Sequence, residues 1–278
     1  MGLWTELHFY TVIPAFIVFI IVAVFMGKAL KDKSEKAKYL PLQIITVILL
    51  VLELAKQVIH IINGYDMYAL PFHYCSLFLY LLPLHSFYRG KHKQTVDTAT
   101  FGCCSSLFFF MLVMPAIVYG DGNIKEFFDI FAFSGGSMGE FTSAFLSFHT
   151  VVFHNLVCLY FLLMVALKMY EMNTKRDLKV LGVFLGYYVV IAALLANVLQ
   201  VNFHNLYRCN LGFVEELRQA MIAQIGTVGH LIYLVALFVL TILFAYAAYF
   251  TVKGVLWLIN KIASKLKKEK PTEVKTED

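Results

Sequence analysis

The sequence predicts an all-α membrane protein built as a bundle of seven transmembrane helices. Its 278 residues are 60% hydrophobic and only 15% charged, and its mean hydropathy is +0.74. A soluble domain of this size needs a polar surface and would not have this composition. Seven segments reach or approach the roughly 20 apolar residues that a spanning helix needs. They are Phe9–Leu30, Leu40–Ile62, Pro71–Tyr88, Thr100–Tyr119, Thr142–Tyr170, Leu178–Gln200 and Gly229–Asn260.

Basic residues are concentrated in every second loop. Lys and Arg cluster at 28–38, 89–93, 168–179 and 261–275, whereas loop 63–70 has none, loop 120–140 has one and loop 201–228 has two. Because cytoplasmic loops carry the excess of Lys and Arg, the N-terminus is predicted to lie outside and the C-terminus in the cytoplasm. Residues 1–260 are thus predicted to form the transmembrane domain, and residues 261–278 a basic, partly disordered cytoplasmic tail.

Two segments on the predicted outer face are more than simple linkers. The run 121–140 is rich in phenylalanine and is predicted to lie at the membrane interface. Residues 213–226 are predicted to form a short amphipathic helix. Both segments are placed to roof a cavity that opens to the outer leaflet.

The charge of the chain indicates membrane lipid as its partner. The net charge of +5 comes mostly from the predicted cytoplasmic loops, and it favours contact with anionic lipid headgroups. Nucleic-acid binding is not indicated, because no basic face interleaved with aromatic residues lies outside the membrane. The five cysteines have no paired spacing in the outer loops, which argues against a disulfide framework.

A polar stripe runs along the second predicted helix. Glu53, Lys56, Gln57 and His60 are spaced by three or four residues and therefore share one helix face. Such a face cannot point at lipid, so it faces the bundle or water. It is either a structural clamp, in which Glu53 and Lys56 neutralise each other, or a set of groups that orient a catalytic site or hold a phosphate headgroup.

Other polar groups lie at a similar depth in neighbouring predicted helices. At about 1.5 Å of rise per residue, Cys75 lies about 6 Å below the outer surface, and His149 and His154 about 10 to 18 Å below it. The start of a helix lowers the pKa of a thiol. If these helices pack together, Cys75 and His154 form a nucleophile–base pair inside the bilayer. Supporting or substrate-binding groups are Glu53, Lys56, Gln57, His60, His73, His149, Asn197 and Asn202.

At these residues the chain resembles the YwaF-type membrane proteins of bacteria, which are related to the eukaryotic transmembrane protein 164. The likeness runs in order through the segments 53–57, 70–75, 154–160 and 197–203. It implies an acyltransferase that moves fatty acyl chains between glycerophospholipids through an acyl-thioester, in a bacterial cell membrane. By this resemblance Cys75 is the nucleophile and His154 its base, and the chemistry needs neither a metal nor another cofactor. A lipid acyl hydrolase with the same pair is a close variant.

Two other function classes stay open on the sequence. The polar stripe of the second predicted helix also suits a transporter or a ligand-binding bundle, although no inverted repeat is evident. A zinc-dependent membrane lipid hydrolase is the second alternative, with Glu53 and histidines among His60, His73, His149 and His154 as ligands. No short paired histidine spacing within one helix supports the zinc site.

Overall fold

The computed structural model shows a helical bundle. It describes residues 4–268, except for the side chains of residues 7, 117, 120–123 and 266–268. In this described part the α-helices are α1 (Glu6–Ala29), α2 (Glu35–Ile62), α3 (Phe78–Phe87), α4 (Lys93–Val113), α5 (Pro115–Glu126), α6 (Asp129–Ala132), α7 (Met138–Ala166), α8 (Thr174–Leu199), α9 (Gly212–Ile225) and α10 (Thr227–Lys268). Short 3₁₀ turns form at Met67–Ala69, Tyr74–Leu77 and Phe203–Asn205.

Six of these helices are long and apolar enough to cross a membrane, counted over the described residues: α1, α2, α4, α7, α8 and α10. The prediction of an all-helical membrane protein is therefore confirmed. The count of seven spans and the outward N-terminus stay predictions. Of the predicted tail, residues 261–268 continue α10, which has 42 residues, and residues 269–278 lie outside the described part.

The third predicted span is a shorter helix than the sequence suggested. It is helical from Tyr74 to Phe87, first as a 3₁₀ turn and then as α3. This segment rises about 22 Å, less than the roughly 30 Å of a hydrocarbon core. If Phe87 lies at one membrane surface, the first turn, which contains Cys75, therefore lies below the other surface. Non-helical backbone at that depth requires shelter by protein or a water-filled cavity.

The predicted bounds of the fourth span, Thr100–Tyr119, were wrong at both ends. α4 begins at Lys93, because Lys93 and Asp97 form an ion pair one turn apart and make the polar first turns favourable. The helix ends at Val113, since Met114 has an extended φ of −139° and Pro115 begins α5. A residue before proline is disfavoured in the helical conformation, so the chain breaks there.

The two segments that the sequence predicted on the outer face are helical. The apolar run predicted at the membrane interface contains the end of α5, α6 and the first residues of α7. α5 packs on α7 and α1. The amphipathic helix predicted at 213–226 is α9, and it packs on α10.

The core lies along α4 and α7, the most buried of the six long helices. α7 packs against α1, α2, α4 and α5, and α4 also packs against α3, α8 and α10. Small side chains allow α4 and α8 to approach closely: a Cβ on Gly102 would lie 2.7 Å from a methyl carbon of Leu181. Close approach through small residues is the usual basis of helix association in lipid.

Candidate active site

Glu53 is the centre of a polar group between α2 and α7. Its side chain is only 11% exposed. Lys56 Nζ lies 2.7 Å from Glu53 Oε1, and Gln57 Nε2 donates to the same oxygen at 2.7 Å. The other carboxylate oxygen, Oε2, lies 3.3 Å from His149 Nε2 on α7. The polar stripe of α2 thus faces the bundle, and Glu53 and Lys56 neutralise each other as predicted for a clamp.

Gln57 connects this group to the loop before Cys75. Its Nε2 also donates to the carbonyl oxygen of Ala69 at 2.9 Å, and its Oε1 accepts from the Tyr65 hydroxyl at 2.7 Å. His60 lies one turn further along α2, with its ring 6.3 Å from that of Tyr65. In the described part of the chain, no hydrogen bond joins His60 to Glu53. Gln57 is therefore the stripe residue that fixes the loop.

The two α7 histidines have different polar partners, and the hydrogen bond of His154 defines its tautomer. His154 Nδ1 lies 2.7 Å from the carbonyl oxygen of Thr150. Because a carbonyl only accepts, Nδ1 carries the proton and Nε2 of the neutral ring has a free lone pair. His149 presents Nε2 to Glu53. A carboxylate that orients a histidine in this way is common in acid–base sites.

Cys75 is the second residue of the 3₁₀ turn Tyr74–Leu77, with a partly buried side chain. The loop before it is tied to α2 by the hydrogen bond from Gln57 to the carbonyl oxygen of Ala69. No hydrogen bond joins the Cys75 thiol to His154 among the residues that the structure describes. The ring of His154 instead meets Tyr119 of α5 edge-on, with the ring centroids 6.1 Å apart. The polar stripe of α2 is what the two residues share.

His73 precedes the turn and is fixed by Tyr68. Its Nε2 lies 3.0 Å from the Tyr68 carbonyl oxygen, and the two rings are 4.4 Å apart. Since the carbonyl accepts, Nε2 carries the proton and the lone pair is on Nδ1. On its other side His73 meets Phe203 edge-on at 5.3 Å. His73 thus links the segment before Cys75 to the loop after α8.

Asn197 belongs to a structural network rather than to the neighbourhood of Cys75. Its Nδ2 donates to the carbonyl oxygens of Ala193 and Leu206, and its Oδ1 lies 2.8 Å from His230 Nε2. Both amide hydrogens are therefore used. The place of Asn197 among the supporting or substrate-binding groups stays a prediction.

Asn202 lines a cleft on the predicted outer face. It donates to Asn210 and accepts from the backbone N–H of Arg208. The cleft has a volume of about 460 Å³ and lies between the segments 66–68 and 200–210. Tyr68 is part of its wall and connects it to His73. Among the described residues, neither of the two segments predicted to roof a cavity lines this cleft.

A family model described as the TMEM164 family matches residues 3–247. The match includes the polar stripe of α2, Cys75 and both α7 histidines. The chain belongs to the TMEM164 family. The predicted relation to transmembrane protein 164 is thereby confirmed. No curated protein and no solved structure matches the chain.

In this TMEM164-family protein a second buried polar group lies at the other end of α3, and the sequence reasoning missed most of it. The Tyr160 hydroxyl of α7 lies 2.6 Å from His85 Nδ1 and 2.8 Å from Ser86 Oγ, which in turn is 2.9 Å from Thr46 Oγ1 of α2. His85 Nε2 lies 3.6 Å from Asp97 of α4. A histidine within an apolar span is a signal that could have revealed this group. It joins four helices and fixes the end of α3 opposite Cys75.

His204 was also missed, because it lies in a loop that has no motif of its own. Its φ of 49° is in the left-handed region, which places its ring 5.7 Å from that of Tyr74. Thr241 donates to the Leu237 carbonyl, so it accepts from His204 Nε2 at 3.1 Å. Burial lowers the pKa of His204 to about 4. His204 is therefore neutral at physiological pH and packs as an aromatic residue beside the turn that holds Cys75.

The donor geometry gives the zinc alternative little support. A zinc site in a protein needs three or four ligands around one point. Within residues 4–268, as far as their side chains are described, no group of three His, Cys, Asp or Glu residues is placed to hold a metal ion. The predicted zinc ligands His60, His73 and His154 are held by separate partners.

Proposed function

We propose that this TMEM164-family protein is an integral membrane acyltransferase that moves a fatty acyl chain between glycerophospholipids. Cys75 is the nucleophile and His154 its base. The observation that carries the proposal is the polar stripe of α2, which contains Lys56 and contacts both α7, through His149, and the loop before Cys75, through Gln57. A nearby cation stabilises a thiolate, which is the nucleophilic form of cysteine.

The reaction has two halves. In the first, His154 Nε2 takes the thiol proton, and the Cys75 thiolate attacks the ester carbonyl carbon of a donor phospholipid. The carbon–oxygen bond breaks, the imidazolium protonates the leaving alkoxide, and a lysolipid departs from the acyl-thioester. In the second, His154 deprotonates the hydroxyl of an acceptor lysolipid, which attacks the thioester and releases the thiolate.

Proton transfer requires Cys75 Sγ and His154 Nε2 to come within hydrogen-bond reach, directly or through one water. Catalytic hydrogen bonds often tighten only when substrate binds. The short α3 suits a lipid substrate, because its first turn would lie about 8 Å inside the hydrocarbon core, within reach of the upper acyl chain and ester linkages of a phospholipid. The free Nε2 lone pair of His154 is the one that a base needs.

The test uses purified protein in phosphatidylcholine nanodiscs with a donor lipid that carries a fluorescent sn-2 chain. Cys75→Ala should abolish acyl transfer and the hydroxylamine-sensitive label on the protein, whereas Cys75→Ser should fold without forming a thioester. Cys209→Ala is the matched control, because Cys209 is a free thiol in a loop on the same predicted membrane face. Full activity in Cys75→Ala would reject the proposal.

The two α7 histidines are distinguished by separate variants. Loss of a general base lowers the rate by about 10²–10⁴-fold, and we expect this for His154→Ala. His149→Ala should cost less, because His149 acts through Glu53 rather than on the thiol. If His149→Ala is inactive and His154→Ala is not, the base is His149 and the assignment here is wrong. Release of free fatty acid instead of transfer would identify the hydrolase variant.

A further inference from the structure

A second cleft lies between α4 and α8. It is on the predicted cytoplasmic face, opposite the face predicted for the Cys75 site. Its volume is about 440 Å³. Thr95 and Ala99 of α4 form one wall, and α8 forms the other from Arg176 to Tyr187. The short side chains of Thr95 and Ala99 leave the space that the cleft occupies. We call it the α4–α8 cleft.

The part of the α4–α8 cleft that lies deeper in the predicted membrane is apolar and open to lipid. Val180, Val183, Phe184 and Tyr187 line it, and their spacing of three, four and seven residues places them on one helix face. Val183 is 53% exposed and Tyr187 is 70% exposed. From residue 176 to residue 187 the helix rises about 16 Å, which is about half of a hydrocarbon core. The basic residues 176–179 take up part of this length, so the apolar wall from Val180 to Tyr187 covers about 10 Å, which matches the upper part of an acyl chain in one leaflet.

The mouth of the α4–α8 cleft is basic. Arg176 Nε donates to Asp177 at 2.8 Å, and its NH2 donates to the Tyr170 hydroxyl at 3.0 Å and to the Glu171 carbonyl at 2.8 Å. The guanidinium is thus held in place before any ligand arrives. Lys179 lies one turn further on the same face, exposed, and forms no ion pair within the described residues. Asp177 neutralises the charge of Arg176, so Lys179 supplies the net positive charge at the mouth of the cleft.

We propose that the α4–α8 cleft binds one anionic phospholipid, with its phosphate at Lys179 and Arg176 and one acyl chain along Val183 and Tyr187. Basic pockets between membrane helices on this face are typical sites for anionic headgroups. An apolar wall about 10 Å long beside two cations matches a phospholipid better than a soluble anion, because a soluble anion has no acyl chain to contact the wall. The site is independent of the proposed acyl transfer.

The test uses photoactivatable phosphatidylglycerol with a diazirine in its acyl chain, diluted into phosphatidylcholine nanodiscs that contain the protein. Labelled peptides should map to residues 180–187 of α8. Neutralising one basic side chain near a membrane surface weakens anionic-lipid binding by about fivefold, so Lys179→Gln should lower the labelling by that factor. Lys175→Gln is the matched control, because it removes the same charge from the first turn of α8 without lining the cleft.

A second variant tests the apolar wall. Val183→Trp is a change at an exposed position, and it should block the chain and lower labelling while Lys179 is intact. Gel filtration confirms that each variant is folded. Equal labelling by photoactivatable phosphatidylcholine, or an equal effect of Lys175→Gln and Lys179→Gln, would overturn the proposal, since either result indicates nonspecific attraction to a basic surface.

Discussion

Among the side chains that the structure describes, two carboxylates are buried, and they have different kinds of partners. Asp177 is 2% exposed and Glu53 is 8% exposed. Asp177 accepts four hydrogen bonds: from the hydroxyls of Tyr170 and Tyr249, from Arg176 Nε and from the backbone N–H of Asn173. Glu53 is contacted by Lys56, Gln57 and His149, two of which are titratable side chains.

The difference separates a structural carboxylate from one that belongs to a candidate site. The partners of Asp177 tie the start of α8 to α10 and to the loop before it, and they fill the hydrogen-bonding capacity of the carboxylate. The partners of Glu53 connect α2 to α7 and to the loop before Cys75. Removing Asp177 should therefore cost stability, whereas removing the charge of Glu53 should mainly cost activity.

The largest effect on stability is expected for Asp177→Asn. Breaking a buried, hydrogen-bonded ion pair by removing one partner costs about 3–5 kcal/mol. The amide N–H₂ of the new Asn would also point at groups that donate hydrogen bonds to Asp177, so donor would meet donor. The free energy of unfolding in mixed micelles, followed by circular dichroism, measures this loss. Lys175→Gln, in the same helix turn but without contact to Asp177, is the control. A loss below that of Glu53→Gln would contradict the comparison.

Glu53→Gln should have a smaller effect on stability and a larger one on turnover. Hydrogen bonds to charged groups contribute about 1.5–3 kcal/mol, and the amide oxygen of Gln can still accept from His149. Acyl transfer should fall more than the folded fraction, because Lys56 and His149 lose their counter-charge. Both quantities are measured on one preparation. A variant with full activity and wild-type stability would place Glu53 outside the site.

Tyr249→Phe removes one of the four bonds to Asp177 and leaves the other three. A typical hydrogen bond contributes about 0.5–1.5 kcal/mol, so the free energy of unfolding should fall by about 1 kcal/mol and activity should not change. Tyr65→Phe, which removes the exposed bond to Gln57, is the matched variant near the candidate site. An equal loss of activity in the two would remove the distinction between the regions.

The smallest effect is expected for a third carboxylate, outside the membrane-spanning segments. Hydrogen bonds from Arg218 lower the pKa of Glu215 from 4.5 to about 2. Its contribution to stability is therefore fully present above pH 4.5 and is lost as the pH falls toward 2. The difference in melting temperature between wild type and Glu215→Gln should shrink over this range. A difference that grows on acidification would contradict the ion pair.

The sequence predicted the membrane class and the facing of the α2 stripe, because both follow from local patterns. Charges spaced by three and four residues share a face whatever the rest of the fold does. The partner of Glu53 was not predictable in the same way. His149 and His154 are five residues apart on α7, and only the packing of α7 on α2 determines which of them meets the carboxylate.

The start of α4 and the role of Asn197 show a second limit. The first turns of α4 are polar, so hydropathy placed the helix start seven residues too late, at Thr100 instead of Lys93. Asn197 could be recognised as polar near a helix end. Both of its amide hydrogens are used by carbonyl oxygens, one in α8 and one in the loop after it. This arrangement depends on the path of that loop, which has left-handed residues at Gln200, His204 and Asn205.

The length of α10 makes the bundle sensitive to bilayer thickness. Its 42 residues extend about 63 Å, roughly twice the hydrocarbon core. Lys261 lies 4.7 Å above the ring of Trp257, a pairing suited to the headgroup layer, where tryptophan is enriched. A helix anchored there accommodates a thinner bilayer by tilting, and α9, which packs against its other end, would move with it.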